Sequence, residues 1–258
     1  MPRFFIDGSA ISGGTATVTG SDARHIALSL RMRVGDSITL CDFARNEYTC
    51  SLETITPTEV SARVMSVSMS EAEPPYTARL YQALPKGERA DVIVQKSVEC
   101  GVSEIVFFES ERCIAKMKGD SVDKKLARFG SIALEAAKQC GRGIVPEVRF
   151  VGEISDALAE MSGGELRFMC YEGGSDGEYP TEKLGELLAR FENGRENYIP
   201  SDIRFMVGPE GGFGYGEVKL ASESGLLLAG LGSRILRCET ASPFVLTCLA
   251  ARYELGSR

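Results

Sequence analysis

Two short stretches hold the residue types most capable of chemistry. Met206-Val207-Gly208-Pro209-Glu210-Gly211-Gly212-Phe213 follows an apolar run and leads into a helical pattern. That places a turn poor in side chains at the carboxyl end of a strand. Glycine there permits positive φ and lets a ligand reach main-chain N–H and C=O groups directly. The second stretch is Leu231-Gly232-Ser233-Arg234-Ile235-Leu236-Arg237-Cys238-Glu239-Thr240-Ala241, again a turn after an apolar run and before a long apolar helix. Arg234 and Arg237 flank Ile235 and Leu236, offering apolar contact for a cofactor beside positive charge for a phosphate. Glu239 or Thr240 is placed to cap the helix. Neither stretch has the spacing of the dinucleotide fingerprint or of the lysine-bearing phosphate loop. Plainer readings stand beside these: strand-to-helix turns favour glycine anyway, and the arginines can pair with local glutamates.

The elements that must position these turns come in two styles. Up to about Ser70 the pattern is short and β-rich. Ile38 to Leu40, Glu47 to Ile55 and Val60 to Val67 alternate apolar and polar, which suggests a small barrel. One helix, Asp22 to Leu30, interrupts it with Asp22 as N-cap. Glu71-Ala72-Glu73-Pro74-Pro75 reads as an extended connection. We expect a barrel over 1–72 and an α/β domain over 73–258. After Pro75, strand and helix alternate: Thr77 to Leu84 then Ala90 to Cys100, and Glu104 to Phe108 then Ser121 to Cys140. Leu166 to Cys170 is followed by Thr181 to Phe191, Ile203 to Val207 by Tyr215 to Ser222, and Leu226 to Ala229 by Glu239 to Tyr253. Such alternation predicts a mostly parallel sheet covered by helices, with ligands beyond the carboxyl ends of its strands. Asp176 to Asn197 reads as loop and exposed helix.

Composition narrows the function classes. The 258 residues carry 43% hydrophobic and 25% charged residues, ordinary globular usage. No apolar run approaches the roughly 18 residues of a membrane span. The amino terminus lacks a secretory pattern, so a cytoplasmic protein is expected. Eight scattered cysteines form no C-x-x-C pair, and no metal is expected. A formal charge of -7 argues against indiscriminate nucleic-acid binding, so an RNA partner must meet local basic patches. Arg24, Arg31 and Arg33 form one such group, Lys86, Arg89 and Lys96 a second, and Arg234 with Arg237 a third. His25, the single histidine, lies in the first group, where RNA contact or a structural hydrogen bond is favoured over catalysis. Arg3 precedes Phe4 and Phe5, which can stack on bases but more often sit in a barrel core. Arg142 is a further candidate for phosphate contact.

Taken together, Gly208-Pro209-Glu210-Gly211-Gly212 and Leu231-Gly232-x-Arg234-Ile235-Leu236-Arg237-x-Glu239-Thr240-Ala241 resemble the uracil-N3 methyltransferases of small-subunit (16S) ribosomal RNA, in the SPOUT class. Further matches run along the chain: Pro2-Arg3-Phe4-Phe5; His25 with Leu30-Arg31-Met32-Arg33-Val34-Gly35-Asp36; Lys86-Gly87-Glu88; Gln95-Lys96 through Glu99-x-Gly101-Val102; Ser110-Glu111-Arg112; and Gln139-Cys140-Gly141-Arg142 with Val145-Pro146-Glu147. Ser233, Cys238 and Gly214 depart from the family's usual proline, threonine and serine.

The resemblance implies an amino-terminal PUA-like β-barrel for RNA recognition and a carboxyl-terminal SPOUT domain with a trefoil knot. It further implies a homodimer and an S-adenosylmethionine cofactor held by three loops. Those loops map to Tyr171-Glu172-Gly173, to Val207 with Gly208 to Gly212, and to Leu231, Gly232, Ile235, Leu236 and Arg237. Methylating uracil N3 requires removal of its proton or stabilisation of the resulting anion. Arg237 suits the second task because a guanidinium stays charged. Glu210 is a candidate base, an orienter of Arg237, or a carboxylate serving the helix dipole. The competing readings are a SPOUT enzyme acting on transfer RNA or a ribose hydroxyl, a non-catalytic RNA-binding assembly factor, and a small-molecule α/β enzyme.

Overall fold

The computed structural model describes residues 1–117, 119, 121–173 and 179–255. The chain divides into two compact units, one of Met1–Glu73 with Ala137–Val145 and one of Pro74–Ala136 with Pro146–Arg258.

In the first unit a six-stranded sheet surrounds its own core in the order β1-β4-β5-β6-β3-β2. Its strands are β1 (Arg3–Phe5), β2 (Ile11–Ser12), β3 (Thr15–Thr19), β4 (Ser37–Cys41), β5 (Asn46–Ile55) and β6 (Glu59–Met69). Alternation drives one face inward: Ile38, Leu40, Cys50, Leu52, Val60 and Ala62 are fully buried or nearly so, with Phe4 and Ile26. Phe4 and Phe5 therefore belong to the interior, and the stacking role is not theirs here. The predicted Asp22–Leu30 helix takes another form. Helix α1 (Gly20–Arg24) starts at Thr19 and runs into a single π-helical turn, His25–Ser29. Asp22 does not cap it; its carboxylate accepts from Lys138 Nζ at 3.0 Å.

The second unit contains one seven-stranded sheet in the order β11-β13-β10-β12-β7-β8-β9. Every neighbouring pair is parallel, which suits strands covered on both faces. Along the chain come β7 (Thr77–Ala83), α2 (Arg89–Glu99), β8 (Glu104–Glu109), α3 (Ser121–Cys140), β9 (Glu147–Glu153), α4 (Ile154–Met161) and β10 (Leu166–Cys170). They are followed by β11 (Glu182–Lys183), α5 (Leu184–Glu192), β12 (Asp202–Val207), α6 (Tyr215–Glu223), β13 (Leu227–Gly230) and α7 (Cys238–Tyr253). The sequence reading passes over β9 and α4. None of β9's side chains is fully buried, so the edge strand lacks the apolar signature of its neighbours. The loop and exposed helix expected over 176–197 lie partly outside the described residues; the remainder holds β11 and α5, a helix that buries Leu184, Leu187 and Leu188.

Late strands are inserted beside early ones. β12 lies between β7 and β10, and β13 between β10 and β11. The direction of strand succession reverses at β7 and β12, where open α/β sheets gather ligands at their carboxyl ends. α7 packs across α2, β7 and β12. Among the described residues no helix is long and apolar enough to cross a membrane.

Candidate active site

The glycine-rich turn after β12 is held from three sides. Gly212 N–H donates to Pro209 O at 3.0 Å, and Gly212 has φ 66°, a conformation that favours glycine. A Cβ on Gly208 would lie 3.2 Å from the Phe213 ring, so the turn folds tightly over that side chain. From beneath, the fully buried Gln82 at the end of β7 donates to the carbonyls of Val207 and Gly208 at 3.4 and 3.3 Å. Its oxygen accepts from Ser242 Oγ at 2.6 Å. From the loop after β8, Arg112 Nη1 donates to Gly211 O at 2.9 Å. Buried Glu217 joins the same two loops, accepting from Ser110 Oγ at 3.0 Å, Glu111 N–H at 2.9 Å and Gly214 N–H at 2.8 Å.

The turn after β13 is open. Gly232 has φ 101°, and Gly232 through Ile235 are exposed, with Leu231 and Leu236 half-buried. Ile235 is 83% exposed, a large apolar side chain next to the half-buried Leu236. α7 begins at Arg237, whose carbonyl accepts from the N–H groups of Thr240 and Ala241, both at 2.8 Å. The expected capping side chains, Glu239 and Thr240, instead lie inside the first turn, and no side chain caps the helix. Burial pushes the neighbouring Cys238 thiol up to about 12, with Glu239 acting in the same direction. This cysteine is therefore an inert packing group at neutral pH. Arg234 and Arg237 are exposed, and among the described residues neither guanidinium has a hydrogen-bond or ion-pair partner.

A third turn leaves β10, which lies between β12 and β13. Tyr171 N–H donates to Ala229 O at 3.0 Å. Glu172 is exposed, and its Oε1 would lie 4.0 Å from a Cβ on Gly212. The sheet thus brings the three expected cofactor segments, 171–173, 207–212 and 231–237, to adjacent strand ends.

Glu210 does not meet Arg237. Its Oε1 accepts from Lys86 N–H at 2.9 Å and from Arg89 Nη1 at 2.5 Å. Arg89 Nε also reaches Glu239 Oε1 at 3.4 Å. Partial burial works to raise the Glu210 carboxyl. It is outweighed by backbone N–H groups of Glu210 and Lys86 and by Arg89, which hold the carboxyl below its usual range. A carboxylate stabilised in this way is a weak proton acceptor.

The remaining candidates separate. Lys86 is exposed in the loop before α2, and Lys96 pairs with Glu99 at 2.8 Å on that helix. In the first unit Arg24, His25, Arg31 and Arg33 are all exposed within ten residues of one another. His25 sets its ring against Phe4, centroids 6.2 Å apart. Arg3 pairs with Glu47 at 2.8 Å. Arg142 is buried and binds Glu73, with Nη2 to Oε2 at 2.6 Å. This guanidinium supports the fold and is not presented to phosphate. Sequence reasoning missed Gln82, Ser242 and Glu217. Their signal was polarity in apolar surroundings, as in Thr77-Ala-Arg-Leu-Tyr-Gln-Ala-Leu.

A parallel α/β sheet with three turns at the carboxyl ends of adjacent strands, in a chain that also holds a small β unit, matches one known arrangement. Residues 72–250 match the family described as the RNA methyltransferase domain, and residues 18–65 match the RNA methyltransferase PUA domain. The chain belongs to the RNA methyltransferase family. Ribosomal RNA small subunit methyltransferase E of Bacillus subtilis is 31% identical, covering 99% of this chain and 98% of its own. Among solved structures, ribosomal RNA small subunit methyltransferase E from Neisseria gonorrhoeae, bound to S-adenosyl methionine, is 31% identical with a TM-score of 0.83, over 98% of each chain. A putative methyltransferase from Legionella pneumophila in complex with bound S-adenosylmethionine is 30% identical with a TM-score of 0.82, over 97% of each.

Proposed function

We propose that this protein uses S-adenosylmethionine to methylate N3 of one uridine in 16S ribosomal RNA of the small subunit. The observation that carries this reading is the meeting of three turns at the ends of the adjacent strands β10, β12 and β13, in a chain similar along its length to small-subunit methyltransferases. The residues fit the cofactor: the half-buried main chain of Gly208 and Gly212 and the exposed main chain of Gly211 and Gly232 for its polar groups, and Ile235 with Leu231 and Leu236 for its apolar parts. When bound, S-adenosylmethionine supplies a methyl group on a sulfonium, displaced in line with a neutral thioether leaving.

The protein's own task is to hold uracil N3 in line and to stabilise the charge it carries as its proton departs. Arg237 performs this stabilisation, since its guanidinium is exposed, unpaired among the described residues and permanently charged. Glu210, held ionised by Lys86 and Arg89, orders the turn rather than accepting the proton. Arg24, His25, Arg31 and Arg33 form the RNA-facing surface of the first unit, with Lys86 and Arg234 nearest the chemistry. The insertion of β13 between β10 and the earlier β11 is compatible with a trefoil knot. Exposed Ile235 is compatible with a homodimer whose partner covers it. A cytoplasmic location accords with a ribosomal substrate.

The test is transfer of labelled methyl from S-adenosylmethionine to small subunits isolated from a strain lacking this protein, with the product nucleotide mapped. N3-methyluridine at one site is the expected result. Tight cofactor binding with no transfer to subunits or to naked ribosomal RNA would overturn the ribosomal reading.

A further inference from the structure

Arg89 opens α2, where a cation opposes the helix dipole. Its guanidinium nevertheless meets two carboxylates, one from each of the two chemical segments: Glu210 at 2.5 Å and Glu239 at 3.4 Å. Glu210 lies in the glycine-rich turn. Glu239 lies in the first turn of α7, two residues beyond Arg237. The surrounding bonds give each carboxylate a second tether, Lys86 N–H on Glu210 at 2.9 Å and the Cys238 thiol on Glu239 at 3.3 Å.

We infer that Arg89 is a positioning residue for methyl transfer, fixing the Gly208–Gly212 turn relative to the helix start that carries Arg237. The inference rests on the reading of these segments as the cofactor site. Arg89, Glu210 and Glu239 side chains retain 39%, 28% and 18% exposure, and ion pairs so open to water add little to folding. What the triad supplies is registry. The planar guanidinium engages both carboxylates through different nitrogens, which an ammonium point charge cannot reproduce. This also removes Arg89 from the set of phosphate contacts expected from sequence, because its donors are already directed into the protein.

The experiment compares the full chain with its Arg89→Gln, Arg89→Lys and Glu239→Gln variants. It measures kcat and KM on small subunits, S-adenosylmethionine affinity by calorimetry, and the salt dependence of RNA binding. Absence of activity in the unmodified protein would count against the proposed function itself. Given an active protein, Arg89→Gln is expected to lower kcat roughly 10- to 100-fold, the scale of a small misplacement of reacting groups. KM for the subunit and the salt slope stay unchanged. Arg89→Lys recovers part of the loss, and adding Glu239→Gln to Arg89→Gln costs less than the two singles combined. Unchanged kcat in Arg89→Gln overturns the inference. So does a salt slope lowered by about one with kcat intact, which marks a phosphate contact. If Arg89→Gln fails to fold, Glu239→Gln applies the same criteria.

Discussion

Gln82 and Ser242, 160 residues apart in sequence, share a 2.6 Å hydrogen bond in the interior of the second unit. Through it the start of α7 is joined to the glycine-rich turn, because the same glutamine donates to Val207 and Gly208 carbonyls. Both side chains are fully buried, so every lost bond leaves a polar group without water. Ser242→Ala is expected to cost about 1–3 kcal/mol by stranding the Gln82 oxygen. Gln82→Leu should also weaken cofactor binding, since it releases the turn. Chemical denaturation and calorimetry on both variants check this. Wild-type denaturation midpoints would show that the pair is dispensable.

How far these contacts could be read from sequence depends on their range. The Ser121–Cys140 helix has the predicted bounds, and α7 begins one residue before the expected Glu239, because a sustained apolar pattern is a local property. The two chemical turns were legible for the same reason: glycine clusters between a strand and a helix are local. Arg142 was not. Only the fold brings Glu73, distant in sequence, against it, and an arginine buried in that way looks from sequence like any other surface cation. Glu210 gave a similar result: its proximity to Arg237 in motif space did not survive, because Arg89 on α2 stands between the segments that carry them.

Burial of the Arg142–Glu73 pair makes a sharp stability prediction. Their side chains are 3% and 4% exposed, and Glu73 also accepts from Gly143 and Ile144 N–H. Arg142→Ala leaves a buried carboxylate without its countercharge, expected to cost about 3–5 kcal/mol. RNA affinity of the fraction that remains folded should be unchanged. Thermal unfolding in parallel with RNA binding tests both halves. A stable variant with weakened RNA binding would restore the phosphate-contact reading.

Acid should act on Glu210. A carboxyl held below its ordinary value of 4.5 in the folded protein contributes stability that is complete above that value. The contribution is lost as pH falls through the lower folded value. Glu210→Gln lacks this component. The gap in unfolding midpoint between wild type and Glu210→Gln is therefore expected at neutral pH and should close as pH falls below 4.5 and through the lower folded value. A gap that persists undiminished through acid would mean the carboxylate's charge is not what Lys86 and Arg89 stabilise.

Arg237 separates chemistry from structure most cleanly. Its side chain is exposed and has no partner among the described residues, while its carbonyl, present in any substitution, starts α7. Removing the guanidinium should therefore leave unfolding within about 0.5 kcal/mol of wild type. If it stabilises charge on the uracil, Arg237→Ala lowers kcat roughly 10²- to 10³-fold, the scale of one charge-stabilising donor. Cofactor affinity should persist. Arg237→Lys should fall between, keeping the charge and losing the planar donor array. The measurement is kcat on small subunits beside calorimetric cofactor affinity. A lost kcat matched by an equal loss of cofactor binding would assign Arg237 to the cofactor, and a preserved kcat would leave the anion to another group.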